Sequence, residues 1–342
     1  MRNRLYRWIL YILILLFGIA AGICMTRNKE AVEASKKPAE EKHIKFDDTR
    51  TIHWSDDFET IAIESSQDNH KQLAYLFKSK SAEPKPLIVS LHTWSGDYTQ
   101  KDDLALMCKE RDLNYIHPNF RGPNKTIEAC CSELALADID DAITYAIENA
   151  NVDRSKIYVI GVSGGGYATL STFMKSKHNI RKFSAWASIT DLVAWYNESE
   201  IRKNGYDKDV VACTGSEDEL DIESAQQRSP IYWDTPTDKL KDSELYIYAG
   251  VYDGIQGSVP ITHSINFYNK ILTDMKVLDT TKFVSDVEKL ELLEKREALG
   301  EFGNIDDRKI HLQKKHDNLR LIIFEGNHEM LTEFALDELL EE

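Results

Sequence analysis

Residues 156–174 have the sequence KIYVIGVSGGGYATLSTFM. The first six residues are rich in β-branched and apolar side chains, which predicts a buried strand. A Gly-x-Ser-x-Gly turn follows at residues 161–165, and a helical pattern follows the turn. The glycines permit a turn sharp enough to expose the hydroxyl of Ser163 at the end of the strand. The stretch therefore predicts a strand–turn–helix unit that presents Ser163 as a nucleophile.

A phosphate-binding turn is the alternative for this stretch. A dinucleotide-binding turn requires G-x-G-x-x-G, and Ser163 occupies the position of its second glycine. A helix that begins just after Ser163 would instead direct its first amides, beginning with Gly164, toward a developing oxyanion. We therefore favour the nucleophile over the phosphate site.

Strand patterns alternate with helix patterns along most of the chain. Besides the strand before Ser163, we predict strands at 60–66, 72–78, 87–91, 114–117, 183–189, 244–249 and 319–324. We predict helices at 101–111, 132–150, 260–275 and 329–340. This alternation predicts an α/β fold with a mostly parallel sheet and helices on both faces, and the first two strands predict an N-terminal antiparallel hairpin.

Two long insertions interrupt this alternation. Residues 191–240 follow the sixth strand and predict a cap. Residues 276–316 are charged and are expected to be solvated, His311 and His316 included; a helix plus a hairpin at the rim is the second interpretation of this insertion. The body from residue 48 to residue 342 is thus expected to be one domain with a cap and an insertion.

The first 47 residues predict targeting and a linker. Arg2, Arg4 and Arg7 precede an uncharged apolar run, so residues 1–25 predict a cleaved secretory signal. An uncleaved membrane anchor is the second hypothesis and lipidation of Cys24 the third. Residues 26–47 are polar and charged and predict a linker. All three hypotheses place the body of the protein outside the cytoplasm. The anchor and the lipidation would also attach it to a membrane.

Composition limits the partners and the cofactors. The chain carries 57 Asp and Glu against 42 Lys and Arg, a net charge of −15, which argues against nucleic acid as a partner. No C-x-x-C pair suggests zinc, and we expect neither a metal nor a cofactor. In an oxidising compartment we expect a disulfide from Cys130 or Cys131 to Cys213, with reduced buried thiols as the alternative.

A serine nucleophile needs a general base and an acid that orients it, and both follow Ser163 in the chain. Asp253 comes after the predicted strand at 244–249, and His328 lies between the last strand and the last helix. The order serine, acid, histidine, each after a strand, predicts Ser163, Asp253 and His328 as a catalytic triad. Asp191, which follows the preceding strand, is the rival acid.

An oxyanion hole requires two backbone amides. Gly164 should supply one. The loop HTWSGD after the strand at 87–91 should supply the other, from Trp94 in the first place and from Thr93 in the second. Substrate contacts are expected from the cap, which is rich in aromatic residues: Trp195, Tyr196, Tyr206, Tyr232 and Trp233. Of these we select Trp195, Tyr196 and Trp233 as substrate-binding residues; packing of the cap against the core is the alternative.

The chain resembles the catalytic domain of the prolyl oligopeptidase family of α/β-hydrolases from about Thr60 to its end. The resemblance rests on HTWSGD, PNFRGPN, GVSGGGYAT, GVYDGIQGSVPITHS and GNHE. It implies an α/β-hydrolase fold and the roles of nucleophile, acid and base for Ser163, Asp253 and His328. The H-x-W loop is also similar to the H-x-Y oxyanion loop of acetyl xylan esterases.

Three functions remain open from the sequence. Only residues 45–86 precede the HTWSGD strand, too few for the β-propeller of full-length peptidases in that family. We therefore favour an extracytoplasmic serine esterase whose substrate is an acylated oligosaccharide or a small ester. A prolyl oligopeptidase-type exopeptidase acting on short peptides is the alternative, and a non-catalytic binding module is the third hypothesis.

Overall fold

A computed structural model of the chain describes residues 48–341, so the predicted targeting segment and the linker lie outside the described residues. The strands are β1 (Glu59–Glu64), β2 (Lys71–Phe77), β3 (Lys85–Leu91), β4 (Asn114–Pro118), β5 (Val152–Val162), β6 (Lys182–Trp186), β7 (Glu244–Gly250), β8 (Asn304–Ile305), β9 (Arg308–His316) and β10 (Leu319–Phe324). The helices are α1 (Asp103–Glu110), α2 (Glu133–Asn149), α3 (Gly164–Lys175), α4 (Leu192–Arg202), α5 (Tyr206–Cys213), α6 (Ile222–Gln227), α7 (Thr262–Asp274), α8 (Asp286–Lys295) and α9 (Thr332–Leu340).

These strands of the described residues form one sheet in the order β1-β2-β4-β3-β5-β6-β7-β10-β9-β8. The six strands from β4 to β10 in this order are parallel, and β1, β2, β9 and β8 pair antiparallel at the two edges. The predicted α/β-hydrolase fold, with a mostly parallel sheet and an opening antiparallel hairpin, is confirmed.

Alternate side chains of the central strands enter different core layers, because successive residues of a strand point to opposite faces. In β3, Leu87 and Val89 pack in the layer that contains α2, α3 and α7. Ile88, between them, packs in the layer that contains α1 and α9. The central strands are apolar on both faces, as expected for parallel strands covered by helices on each side.

Two details of the predicted elements were wrong. The strand predicted at 183–189 ends at Trp186, because Ala187 has a φ of 47° and turns the chain out of the extended conformation. The charged insertion is only partly solvated: β9 pairs antiparallel with β10, and His311 is buried with 5% of its surface exposed. Seven of the nine residues of β9 are polar or charged, which is why its sequence resembles a solvated segment.

The predicted cap between β6 and β7 contains α4, α5 and α6 together with short 3-10 helices at Pro230–Tyr232 and Thr237–Lys241. It follows the sixth strand, as predicted. Within residues 48–341, each helix is too short or too polar to cross a bilayer.

Candidate active site

Ser163 occupies the sharp turn between β5 and α3. Its backbone has φ 60° and ψ −119°, a conformation that non-glycine residues rarely adopt and that costs about 1–3 kcal/mol. The turn is fixed on both sides: Ser163 N–H donates to Trp186 O at 2.9 Å, and Tyr167 N–H donates to Ser163 O at 2.9 Å. The surrounding sheet and helix thus hold a strained serine at the carboxyl edge of the parallel strands.

Asp253 and His328 form a hydrogen-bonded pair at the same edge. Asp253 follows β7, His328 follows β10, and these strands are neighbours in the sheet. His328 Nδ1 lies 2.7 Å from Asp253 Oδ2. A carboxylate oxygen accepts, so Nδ1 carries the proton and Nε2 keeps a lone pair for use as a base.

The backbone around Asp253 fixes its carboxylate. Asp253 is buried, with 1% of its surface exposed. Its Oδ1 accepts hydrogen bonds from Gly254 N at 2.8 Å and from Val259 N at 3.1 Å. These bonds leave Oδ2 directed at His328.

The loop that carries His328 is held by the insertion. Glu329, also buried, accepts a hydrogen bond from Asn327 N at 3.0 Å. Arg308 of β9 pairs with Glu329 at 3.3 Å and donates to Glu325 O at 3.1 Å. The charged insertion thus contributes a positioning contact that its sequence did not suggest.

Asp191, the rival acid, has another role. Its Oδ1 accepts from Val193 N and Ala194 N, both at 3.0 Å, and caps the first turn of α4. Its Oδ2 accepts from Tyr232 Oη at 3.0 Å. Both oxygens are therefore engaged within the cap, and His328 pairs with Asp253 instead.

A cavity of about 180 Å³ opens over Ser163. Its wall combines the turn of Ser163, His328, the loop after β3, the cap and the start of the described chain: Thr49, Thr93, Trp94, Ser95, Val162, Ser163, Tyr206 and His328. Small-molecule sites usually measure about 300–1,000 Å³, so this cavity encloses only a small group.

The two amides predicted for the oxyanion hole are adjacent. A Cβ on Gly164 would lie 2.2 Å from Trp94 N, so only glycine allows the loop after β3 to approach α3 so closely. Gly164 is the first residue of α3, where backbone amides lack an intrahelical acceptor. Trp94 N–H has no hydrogen-bond partner among residues 48–341.

The second choice for that amide, Thr93, does not fit. Thr93 N–H donates to Gln100 Oε1 at 3.0 Å, and Thr93 Oγ1 donates to the same oxygen at 2.6 Å. Its amide is thus occupied, whereas that of Trp94 is not. Trp94 and Gly164 therefore stay the predicted pair of oxyanion donors.

The predicted substrate aromatics do not line the cavity. Trp195 has 1% of its surface exposed because its ring packs against Trp94 at 4.5 Å and stacks on Tyr206 at 5.0 Å. Trp233 lines a separate cavity of about 530 Å³ between α2 and α3. Tyr196 packs half-buried against the core. The prediction that these three residues line the substrate cavity was thus wrong, and of the cap aromatics named from the sequence Tyr206 lies on the wall beside Ser163.

Ser258 lies beside the base and was not selected from the sequence. Its Oγ is 3.5 Å from His328 Nε2, and its backbone oxygen accepts a hydrogen bond from Trp195 Nε1 at 2.9 Å. Ser258 follows the acid by five residues, inside the GVYDGIQGSVPITHS stretch, and that proximity was the available signal.

A disulfide connects the cap to the loop after β4. Cys130 is bonded to Cys213 at the end of α5, with their Cα atoms 6.1 Å apart. Cys108 and Cys131 are buried free thiols. The expected bridge to Cys213 is therefore present, and Cys130 rather than Cys131 forms it.

Residues 103–273 match the profile of the prolyl oligopeptidase family. The matched span includes Ser163 and Asp253 and ends before His328. No curated protein is similar enough in sequence to count as a match.

Solved structures of three peptidases share the fold. Acylaminoacyl peptidase from Pyrococcus horikoshii is 18% identical with a TM-score of 0.51, over 66% of this chain and 36% of that one. Oligopeptidase B from Leishmania major is 11% identical with a TM-score of 0.54, over 82% and 36%. Prolyl oligopeptidase B from Galerina marginata is 16% identical with a TM-score of 0.51, over 64% and 32%. The chain thus spans about a third of the length of these proteins.

Proposed function

Because the chain belongs to the prolyl oligopeptidase family of α/β-hydrolases, we propose that it is a serine peptidase that cleaves short peptides. Ser163 is the proposed nucleophile, His328 the base and Asp253 the residue that orients the base. One observation carries the proposal, namely that the three residues lie together at one edge of the sheet. His328 Nδ1 is 2.7 Å from Asp253 Oδ2, and His328 lines the same cavity as the strained Ser163.

In the proposed reaction, Ser163 Oγ attacks the carbonyl carbon of the scissile peptide bond while its proton passes to His328 Nε2. The carbon–nitrogen bond then breaks, and the same nitrogen of His328 returns the proton to the leaving amine. A water molecule next attacks the acyl-enzyme, loses its proton to Nε2 and releases the acid, and Ser163 recovers its proton. Asp253 stays ionised and stabilises the imidazolium at each stage.

The oxyanion of each tetrahedral intermediate would accept hydrogen bonds from Trp94 N–H and Gly164 N–H. The close approach of these two residues supports this assignment, and so does the engagement of Thr93 N–H by Gln100. Loss of one oxyanion donor typically costs about 10²–10³-fold in kcat.

A peptide substrate has better support than the ester favoured by the sequence alone. The family profile is that of peptidases, and the solved structures of similar fold carry peptidase names. The aromatic side chains expected to hold sugar rings do not line the cavity: Trp195 is buried behind its wall, and Trp233 lines a separate cavity. A non-catalytic binding module has the least support. The buried carboxylate of Asp253 fixes the tautomer of His328 for proton transfer, and a binding module would not require this arrangement.

The test compares the wild-type protein with Ser163→Ala and with the control Ser155→Ala, which alters an exposed serine at the start of β5. The substrates are alanyl and N-acetylalanyl p-nitroanilides and acetylated xylo-oligosaccharides. We expect anilide cleavage by the wild type and the control, lowered about 10⁴-fold or more in Ser163→Ala. Deacetylation of the sugars without anilide cleavage would establish the esterase instead. Equal turnover by Ser163→Ala would refute the nucleophile.

We also propose that the domain works outside the cytoplasm. The arginines before the apolar run at residues 8–25 support this location, and so does the Cys130–Cys213 bridge, since disulfides persist in oxidising compartments. Alkaline phosphatase fused after residue 342 should be active in cells, and the same fusion without residues 1–25 inactive. An inactive full-length fusion would contradict the proposed location.

A further inference from the structure

The first described residues run along the active site. Residues 48–52, here called the strap, lie beside the loop between β3 and α1. Ile52 N–H donates to Thr99 O at 3.1 Å, and Lys101 N–H donates to Arg50 O at 2.8 Å. Thr51 forms an isolated antiparallel bridge with Gln100. Backbone pairing on two residues thus fixes the register of the strap against this loop.

A side-chain ion pair adds to the backbone pairing. Lys101 Nζ lies 3.1 Å from Asp48 Oδ2. A hydrogen bond to Asp103 raises the pKa of Lys101, and the bond to Asp48 raises it further. The bond to Lys101 in turn lowers the pKa of Asp48. Both ends of the strap are therefore attached to one loop.

The same loop organises the oxyanion donors. Gln100, buried and paired through its backbone with the strap, accepts the hydrogen bonds from Thr93 N and Thr93 Oγ1. Thr93 directly precedes Trp94. The strap, Gln100 and the proposed oxyanion loop thus form one hydrogen-bonded layer on one side of Ser163.

Thr49 is the strap residue on the cavity wall. Thr49 and Tyr206 of the cap both line the half-open cavity of about 180 Å³ that contains Ser163 and His328. The side chain of Thr49 is exposed and makes no hydrogen bond within residues 48–341. Its bulk can therefore be changed without removing a contact that holds the strap.

We propose that the strap is part of the substrate site and that Thr49 is a specificity-determining residue, which limits the size of the group beside the scissile carbonyl. This inference rests on the proposed function and adds a substrate class to it: short peptides with a small side chain next to the cleaved bond. The small volume of the cavity supports that class, because it is well below the volume of sites that enclose drug-sized ligands.

The test measures labelling rates with two fluorophosphonates, one with a methyl group and one with a bulky aromatic group on phosphorus. Phosphonylation joins Ser163 Oγ to phosphorus and releases fluoride, so it needs the nucleophile but no particular peptide. The full-length wild type is compared with Thr49→Gly, with Thr49→Trp and with the control Thr51→Trp, which adds the same bulk to an exposed strap residue outside the cavity wall.

We expect Thr49→Gly to speed labelling by the bulky probe about fivefold or more and Thr49→Trp to slow it about tenfold or more, because steric limits of a few atoms have effects of this size. The methyl probe should label the wild type and Thr51→Trp within about twofold, and it should distinguish the Thr49 variants less than the bulky probe does. Equal selectivity in Thr49→Trp and Thr51→Trp would overturn the role of Thr49 while leaving the proposed nucleophile intact. Failure of the wild type to react with either probe would overturn the proposed function, and the role of the strap with it.

Discussion

Gly257 lies against both members of the acid–base pair. A Cβ at this position would stand 2.2 Å from Asp253 Oδ1 and 2.5 Å from His328 Cβ. Asp253 cannot move away without weakening the two backbone hydrogen bonds that its Oδ1 accepts. His328 cannot move away without lengthening its bond to Asp253. The hydrogen-bonding distance between Asp253 and His328 therefore depends on the absence of a side chain at Gly257.

We expect Gly257→Ala to lower kcat/KM about 100-fold or more, since displacement of a catalytic group by about 1 Å has an effect of that order. The control is Gly300→Ala, whose new Cβ would meet only the ring of Phe302 at 3.2 Å. The measurement is kcat/KM together with the thermal midpoint of each variant. Full activity in Gly257→Ala would contradict the close packing around the pair.

Among the secondary-structure elements, α5 matters most for the shape of the cavity. It presents Tyr206 to the wall, and Asp209 accepts a hydrogen bond from Trp94 Nε1 at 3.1 Å. Burial raises the pKa of Asp209, although the bond from Trp94 opposes the shift. The last residue of α5, Cys213, is bonded to Cys130 in the loop whose Asn124 N–H donates to Trp94 O at 2.8 Å. The disulfide and these hydrogen bonds link α5 to the proposed oxyanion loop.

The disulfide should contribute measurably to stability. It closes a span of 83 residues, for which the loss of chain entropy in the unfolded state corresponds to about 4.5 kcal/mol. We expect dithiothreitol to lower the thermal midpoint of the wild type toward that of Cys130→Ser/Cys213→Ser and to leave the double variant unchanged. Burial raises the pKa of Cys131 to about 12, so its thiol will not compete for the bridge. A wild type insensitive to the reductant, with the bridge shown by mass spectrometry to be cleaved, would contradict this expectation.

At the scale of the whole molecule, buried histidines predict loss of stability in acid. Burial lowers the pKa of His92 to about 4, although the carbonyls of Thr93 and Asn119 at its ring nitrogens oppose the shift. Burial also lowers the pKa of His117, against the pull of Asp102. Between pH 4 and 6.5 the unfolded chain therefore binds protons that the folded protein does not, so stability falls as the pH falls through this window.

His92 alone should lower the free energy of unfolding by about 2 kcal/mol between pH 7 and pH 5. Urea unfolding at the two pH values measures the change. His92→Asn should be less stable at pH 7 but lose less on acidification, whereas His53→Asn, at an exposed histidine, should behave like the wild type. An equal loss in His92→Asn and the wild type would assign the acid sensitivity to other groups.

The sequence predicted those features that depend on local pattern. The turn at Ser163, the strands before Asp253 and His328, and the order of the three residues along the chain follow from short motifs and from periodicity. The fold that these features imply is confirmed. The roles of the three residues stay predictions, which the hydrogen bond between Asp253 and His328 supports.

Features that depend on packing between distant segments could not be predicted in this way. Trp195 resembled a substrate contact because aromatic residues are common in clefts, but Trp94 and Tyr206 bury its ring. Nothing in the local sequence of Thr49 placed it beside Ser163, since its position depends on pairing with a loop 50 residues further along the chain. Such contacts are set by the tertiary fold.

The most direct test of the central claim, that Ser163 is a nucleophile activated by His328, is to locate the covalent adduct. The full-length protein is treated with a methyl fluorophosphonate, digested and analysed by mass spectrometry, alongside His328→Asn. We predict one phosphonyl group on the peptide that contains Ser163 in the wild type, formed far more slowly in His328→Asn. An adduct on another residue, or equal labelling of the two proteins, would contradict the claim.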